Sequence, residues 1–391
     1  MNYESNIDIL TIYLPERIET ANASEIEAEI TSVINSNPHE KLVFDASGLI
    51  YISSAGLRAF MKIGRINGNS LSIIEVSNDI YSIFETTGFT EIFNIKKKLR
   101  TLDVTGCEII GKGFYGTVYR LDEDTIVKVY DSPDSIPMIE NEKKMAKMAF
   151  LKGIPTAISY DIVRVGNSYG SVFELLNAKT FNDLIIEDPD NIDKTIDTYT
   201  DFIKSIHQTE MDEGTLPSSA EVFLGYLDVI REYIGDDLAA KLADLFKSMP
   251  KDLHVVHGDC QMKNVMMVDN EPMIIDMDTL SVGHPIFDLM ALYVTYKAFP
   301  EDEEENAMNF LGIPKETVDH MWDRILHRYL SDRDEDAVQE ALKKIHVGAC
   351  VRFLFIIAVS DLKNSELGAT RIRHTVEYLK ETLPTVDTLV F

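Results

Sequence analysis

Apolar and polar residues alternate in short runs near the start of the chain and give way to long stretches of helical period towards its end. "DILTIYL", "KLVFDAS" and "SLSIIEV" alternate as strands do. Between them, "ASEIEAEITSVIN" places Ile26, Ile30 and Val33 at helical spacing, and "SAGLRAFMKIG" is helical too. Strands alternating with helices predict an α/β domain of about 100 residues, its sheet covered by helices. "IKKKLRTLDV" supplies a basic join, so the first domain is expected over 1–102 and the second over 103–391.

The second block has a different pattern. "GCEIIGKGFYGTVYRL" and "DTIVKVY" are strand-like around a glycine-rich bend and the acidic turn "DED", and "SVFELL" adds another strand. From about residue 190, "IDKTIDTYTDFIKSIHQ", "VFLGYLDVIREYI" and "LAAKLADLFKSM" have helical period. Strands followed by helices predict an α+β domain of two lobes, a β-rich N-lobe over about 103–176 and a helical C-lobe over about 177–391.

Composition narrows the partners. Hydrophobic residues make up 45% and charged residues 26%, an ordinary globular balance. Lys plus Arg number 37 against 65 Asp plus Glu, a formal charge of -28. That charge repels phosphate backbones and anionic lipid, so neither nucleic acid nor a membrane is expected as a partner. It leans instead towards a cationic, amine-bearing ligand. "MNYESNIDILTIYLP" has no signal-peptide pattern, and "VGACVRFLFIIAVSD" is too short to span a bilayer and carries Arg352. With Cys107, Cys260 and Cys350 far apart, reduced thiols in a cytoplasmic protein are expected.

Gly111, Gly113 and Gly116 form a GxGxxG pattern. A dinucleotide-binding loop of this spacing opens a helix, whereas here Thr117, Val118 and Tyr119 continue as a strand. The pattern therefore reads as a hairpin folded over nucleotide phosphates. Lys128, among Ile126, Val127 and Val129, is placed to reach the α- and β-phosphates. It needs an orienting carboxylate. Glu140 and Glu142 are both available, and Glu142 is preferred because it shares a helix face with Met145, Met148 and Ala149.

"HGDCQMKN" and "MIIDMD" carry the rest of the chemistry. An Asp/Asn-rich loop is ordinarily a turn with side-chain caps. Combined with the glycine loop and Lys128, however, Asp259 as base with Asn264 and Asp276 as magnesium ligands makes a phosphoryl-transfer set. Cys260 has no evident base partner and reads as packing.

Residues from about 106 to 391 resemble the aminoglycoside phosphotransferase and choline kinase-like branch of the protein-kinase fold. "HGDCQMKN" is similar to its HGDxxxxN loop, "IIDMDT" to its magnesium-binding strand end and "GHPIFDL" to its G-x-P-x-x-D-L segment. The resemblance implies ATP and Mg2+ as cofactors, Asp259 as catalytic base, Asn264 and Asp276 as metal ligands, and Asp288 as a brace for the loop. "VFELLNAKTFNDLI" resembles the interlobe hinge, which implies adenine held by backbone groups near Glu174 and Leu176. Gln261 stands where many members have His, and Asp278 is left either as a second metal ligand or as a solvent-facing residue.

In the first block, "VFDASGLIYISSAGLRAF" is a strand, a small-residue turn and a helix opening at Ser53 or Ser54, either of which could cap it. The stretch resembles the STAS domain of anti-sigma factor antagonists, as does "VSNDIYSIFETTGFTEIFNI". That resemblance puts Ser54 at the phosphorylated position and implies a protein partner for the domain. Together the readings predict a bacterial-type fusion: a regulatory or docking STAS domain and a kinase moving the γ-phosphoryl group of ATP to a hydroxyl of a small molecule. The alternatives are a nucleotide-binding signalling scaffold without turnover and a kinase acting on its own or a partner's STAS serine.

Overall fold

A computed structural model describes the whole chain except residues 7, 69, 70, 114, 115, 177 and 304. It separates into two compact units. The first comprises Met1–Asp103 with Ile162–Asn167, the second Val104–Asp161 with Ser168–Phe391.

In the first unit, strands Asn2–Ser5, Ile9–Tyr13, Lys41–Asp45, Leu71–Val76 and Asn94–Lys97 form a sheet in that order. The first pair is antiparallel and the rest are parallel. Leu10, Ile12, Leu42, Phe44, Leu71 and Ile73 alternate into one buried face. Helices Ala23–Ser36, Ser54–Ile66 and Asn78–Thr86 contribute Ile26, Ile30, Phe60, Ile63, Ile80 and Phe84 to the same core. A chain of ring contacts runs from Phe44 through Phe60, Phe84 and Phe89 to Phe93.

Two features depart from the sequence pattern. Strand Asn2–Ser5 is exposed throughout, so it has no alternation to reveal it. The basic join contains strands Asn94–Lys97 and Arg100–Leu102, the second paired in parallel with Val163, Arg164 and Val165.

Helix Ser54–Ile66 is capped by Ser53, whose Oγ accepts from the Gly56 amide at 3.3 Å. Ser53 is buried and Ser54 is exposed at the first helical position. Capping therefore belongs to Ser53 and leaves the Ser54 hydroxyl facing outward.

In the second unit, strands Glu108–Lys112, Gly116–Arg120, Thr125–Tyr130 and Ser168–Glu174 pair antiparallel in sequence order. Helix Ile136–Leu151 packs by Ile139, Glu142, Ala146 and Ala149. The C-terminal part is built on helices Ile192–Ile206, Ser219–Ile234, Asp236–Ser248, Ile286–Tyr293, Lys315–Tyr329, Glu335–Val359 and Glu366–Thr382 around one large apolar cluster. Short paired strands, Val255–Val256 with Ser281–Val282 and Val265–Val268 with Glu271–Ile274, hold the loops that carry Asp259 and Asp276. Among the described residues no helix is long and apolar enough to cross a membrane.

Ser53→Ala removes the cap and is expected to cost about 1 kcal/mol of first-unit stability. Ser54→Ala should stay within about 0.5 kcal/mol. Denaturant unfolding of the two variants distinguishes them.

Candidate functional site

The site begins with Lys128 in strand Thr125–Tyr130. Its side chain is 22% exposed, with Nζ 2.6 Å from Asp276 Oδ1 and 3.3 Å from both oxygens of Glu142. Glu142, rather than Glu140, meets the lysine because it lies on the buried stripe of helix Ile136–Leu151. Tyr130, which no local sequence signal singles out, donates its hydroxyl to Glu142 Oε2. Burial alone would lower the Lys128 pKa, but the charges of Asp276 and Glu142 raise it well above the ordinary lysine value. The lysine is a permanent cation among carboxylates.

Asp276 stands two residues beyond strand Glu271–Ile274, in left-handed backbone at φ 68°. Asp and Asn tolerate that region better than most residues. Asp278 follows in a short 3-10 turn and is half-buried rather than facing solvent. Burial, then the charge of Asp276, raises its carboxyl pKa to about 7.

Asp259 occupies the loop after Val255–Val256. Its carboxylate accepts from Gln261 Nε2 at 3.1 Å and from Asn264 Nδ2 at 2.9 Å. The same Asn264 nitrogen bonds the Asp259 carbonyl at 2.8 Å. With its nitrogen committed, Asn264 keeps its amide oxygen for another partner. Arg352 Nη2 lies 3.9 Å from Asp259 Oδ1.

Asp288 fixes the loop from beneath. It is fully buried and accepts from the amides of His257 at 2.8 Å and Gly258 at 2.6 Å, and from His207 Nε2 at 2.8 Å. Burial would raise its carboxyl pKa, but the His207 hydrogen bond and charge and the neighbouring His257 hold it below the usual range. Gly258 has φ +85°, and a Cβ there would lie 2.8 Å from the Thr279 carbonyl oxygen. Only glycine fits between the loop and the segment after Asp276. Cys260 is fully buried, and burial pushes its thiol pKa far up, as suits packing.

The glycines of the hairpin differ. At Gly116 a Cβ would lie 2.2 Å from the Val129 carbonyl oxygen, so the close approach of two strands requires glycine. At Gly111 the nearest atoms are Val118 side-chain carbons at 3.7 Å, an ordinary contact. Gly113 donates its amide to the Gly116 carbonyl at 2.8 Å, and residues 114 and 115 lie outside the described residues. Glu174 ends its strand paired with Thr125, and Leu176 follows in irregular backbone.

Asn264 and Asp276 fit a magnesium ion by donor chemistry, since each can offer oxygen and the ion prefers hard oxygen ligands. Among the described residues no group of three or more His, Cys, Asp or Glu side chains is arranged to hold a metal.

Gly116→Ala is expected to destabilise the second unit by about 1–3 kcal/mol through overpacking. Gly111→Ala should fold normally and show any effect in the KM for nucleotide. Thermal unfolding and nucleotide titration separate the two. Asp278 supplies a pH test. Its folded pKa lies above the unfolded value near 3.8, so the folded state binds the extra proton between pH 4 and 7. Its contribution to stability therefore falls as pH rises through that window. Asp278→Asn should flatten the decline, read as unfolding temperature against pH without added divalent ion.

The family model described as "Phosphotransferase enzyme family" matches residues 106–346, and the STAS domain model matches residues 1–102. The putative anti-sigma factor antagonist BtrV of Bordetella bronchiseptica is 32% identical over 82 residues, 20% of this chain and 69% of that protein. Among solved structures, aminoglycoside phosphotransferase APH(2'')-Ib with ADP bound aligns over 79% of this chain and 99% of its own, at 15% identity and a TM-score of 0.47. A thermostable mutant of APH(4)-Ia in the apo form aligns over 70% of this chain and 94% of its own, at 12% identity and a TM-score of 0.49. A family match over more than half its length makes the chain a member of the phosphotransferase enzyme family, with a STAS domain at its N-terminus.

Proposed function

We propose that this phosphotransferase moves the γ-phosphoryl group of ATP to a hydroxyl of a small molecule, with residues 1–102 as its STAS domain and 103–391 as the transferring domain. The observation that carries the reading is Lys128 held between Glu142 and Asp276. A lysine in that position can turn from Asp276 to the α- and β-phosphates while Glu142 keeps its orientation. The backbone at Gly111, Gly113 and Gly116 would lie over the phosphates, and backbone groups near Glu174 and Leu176 would hold adenine.

Asp259 is the base in this scheme. Gln261 and Asn264 hold its carboxylate in one orientation, and Asp288 holds the loop amides behind it. As the acceptor oxygen bonds to the γ-phosphorus, its proton passes to Asp259. The bond from that phosphorus to the β-bridging oxygen breaks, and ADP leaves. Asn264 and Asp276 would hold magnesium, which supplies positive charge against the phosphate oxygens.

The STAS domain is the docking or regulatory element in this reading. Its support is the outward Ser54 hydroxyl at a helix N-terminus, where added negative charge is tolerated. A protein partner would read that surface.

Thermal unfolding with ATP and magnesium tests the proposal. A ligand at 100 times its Kd adds about 2.7 kcal/mol, worth several degrees for a domain of this size. The native chain should show a magnesium-dependent rise that Asp276→Asn abolishes, the asparagine keeping the left-handed backbone while losing the charge. A native chain without such a rise would sink the reading.

A further inference from the structure

A cavity of about 260 Å³ opens beside the Asp259 loop. Helix Ser219–Ile234 lines it with Ser219, Val222, Phe223 and Tyr226, the catalytic loop with Gly258, and helix Glu335–Val359 with Arg352. Its volume falls below the roughly 300–1,000 Å³ of drug-sized ligand pockets, so an occupant is small.

Among the described residues Arg352 is the one basic residue on its walls. The side chain is only 14% exposed, and Asp259 at 3.9 Å lies beyond hydrogen-bond reach. Among the described residues its Nε is buried without a hydrogen-bond partner. A guanidinium offers five donors in a planar fork, and a buried donor left without a partner is costly. The hydroxyls of Ser219, Ser281 and Thr279 are already engaged. Ser219 pairs with Ser281 and donates to the Val282 carbonyl, and Thr279 donates to that of His257. Asp278, the one acidic residue on the walls among the described residues, has Asp276, Lys128, Glu142 and Asp259 as electrostatic neighbours and so belongs to the transfer site. Asn141 adds a side-chain amide, and Met145, Val222, Phe223 and Phe287 supply apolar lining.

We propose that this cavity receives the acceptor and that Arg352 recognises a carboxylate or phosphate on it, holding the acceptor's hydroxyl towards Asp259. The inference deepens the phosphotransfer reading and rests on it for the ligand's role as acceptor. It reverses the lean towards an amine-bearing acceptor drawn from overall charge, because the local demand in the cavity is for an anion. Arg352 lies beyond the last residue matched by the family model, in helix Glu335–Val359.

Thermal unfolding of the full chain, saturated with ADP and magnesium, tests this with four probes: glycerate, glycerol 3-phosphate, glycerol and ethanolamine. An anionic probe at ten times its Kd should raise the transition by roughly 3–5 °C, and glycerol and ethanolamine should not. Arg352→Met should abolish the rise, and Arg352→Lys should keep part of it. Glycerate against glycerol 3-phosphate tells which anion is read. Stabilisation by ethanolamine instead, no rise with either anion, or a rise that survives Arg352→Met each overturns the proposal. Loss of the ADP response in Arg352→Met would assign the guanidinium to the nucleotide phosphates, which also overturns it. A native chain that does not respond to ADP removes the phosphotransfer reading. The probes added alone then judge the anion site by the same criteria.

Discussion

The buried carboxylate of Asp288 is the constraint on which the second unit's site depends. It takes hydrogen bonds from two consecutive loop amides and from His207, whose other ring nitrogen is tied to the Tyr329 hydroxyl. A charge with no exposure is tolerated only when its oxygens are fully engaged. Here the engagement doubles as positioning. The loop cannot shift without stripping that carboxylate, so Asp259 is held relative to the helices beneath it. Gly258 completes the arrangement, because its left-handed backbone lets the Thr279 segment pass at a distance no side chain would permit.

Above that base, electrostatics tie strand, helix and loop together. Lys128 bridges Glu142 and Asp276, and Tyr130 adds a hydroxyl to Glu142. Carboxylates outnumber cations there, and burial, followed by the charge of Asp276, raises the Asp278 carboxyl pKa above that of an ordinary carboxylate. Surplus negative charge at the centre is the observation on which the proposed magnesium and phosphate binding rests. On its other flank, Arg352 presents the opposite demand within 4 Å of Asp259. The net charge of -28 describes the surface as a whole and says little about either flank.

Local patterns in the sequence carried much of the fold. Alternation marks Ile9–Tyr13, Lys41–Asp45 and Leu71–Val76, and helical period marks Ile192–Ile206, Ser219–Ile234 and Asp236–Ser248. Each is set by side chains within a few residues of one another. Strand Asn2–Ser5 escaped because an exposed strand has no buried face to imprint a period. The basic join escaped because charged residues in edge strands look like a linker.

For the site, the sequence by itself determined that a glycine hairpin, a strand lysine and an Asp/Asn loop follow one another along the chain, since each is a short local signal. Tertiary structure decided the partners. It set Glu142 rather than Glu140 against Lys128, gave the helix cap to Ser53 and left Ser54 outward, and required Gly116 for strand contact while leaving Gly111 unconstrained. It also brought Arg352 to Asp259 from a helix whose apolar run had counted only against a membrane span. The reason is physical. Backbone periodicity is written in neighbouring residues, whereas burial, hydrogen-bond completion and the meeting of distant charges exist only once the helices and loops are packed.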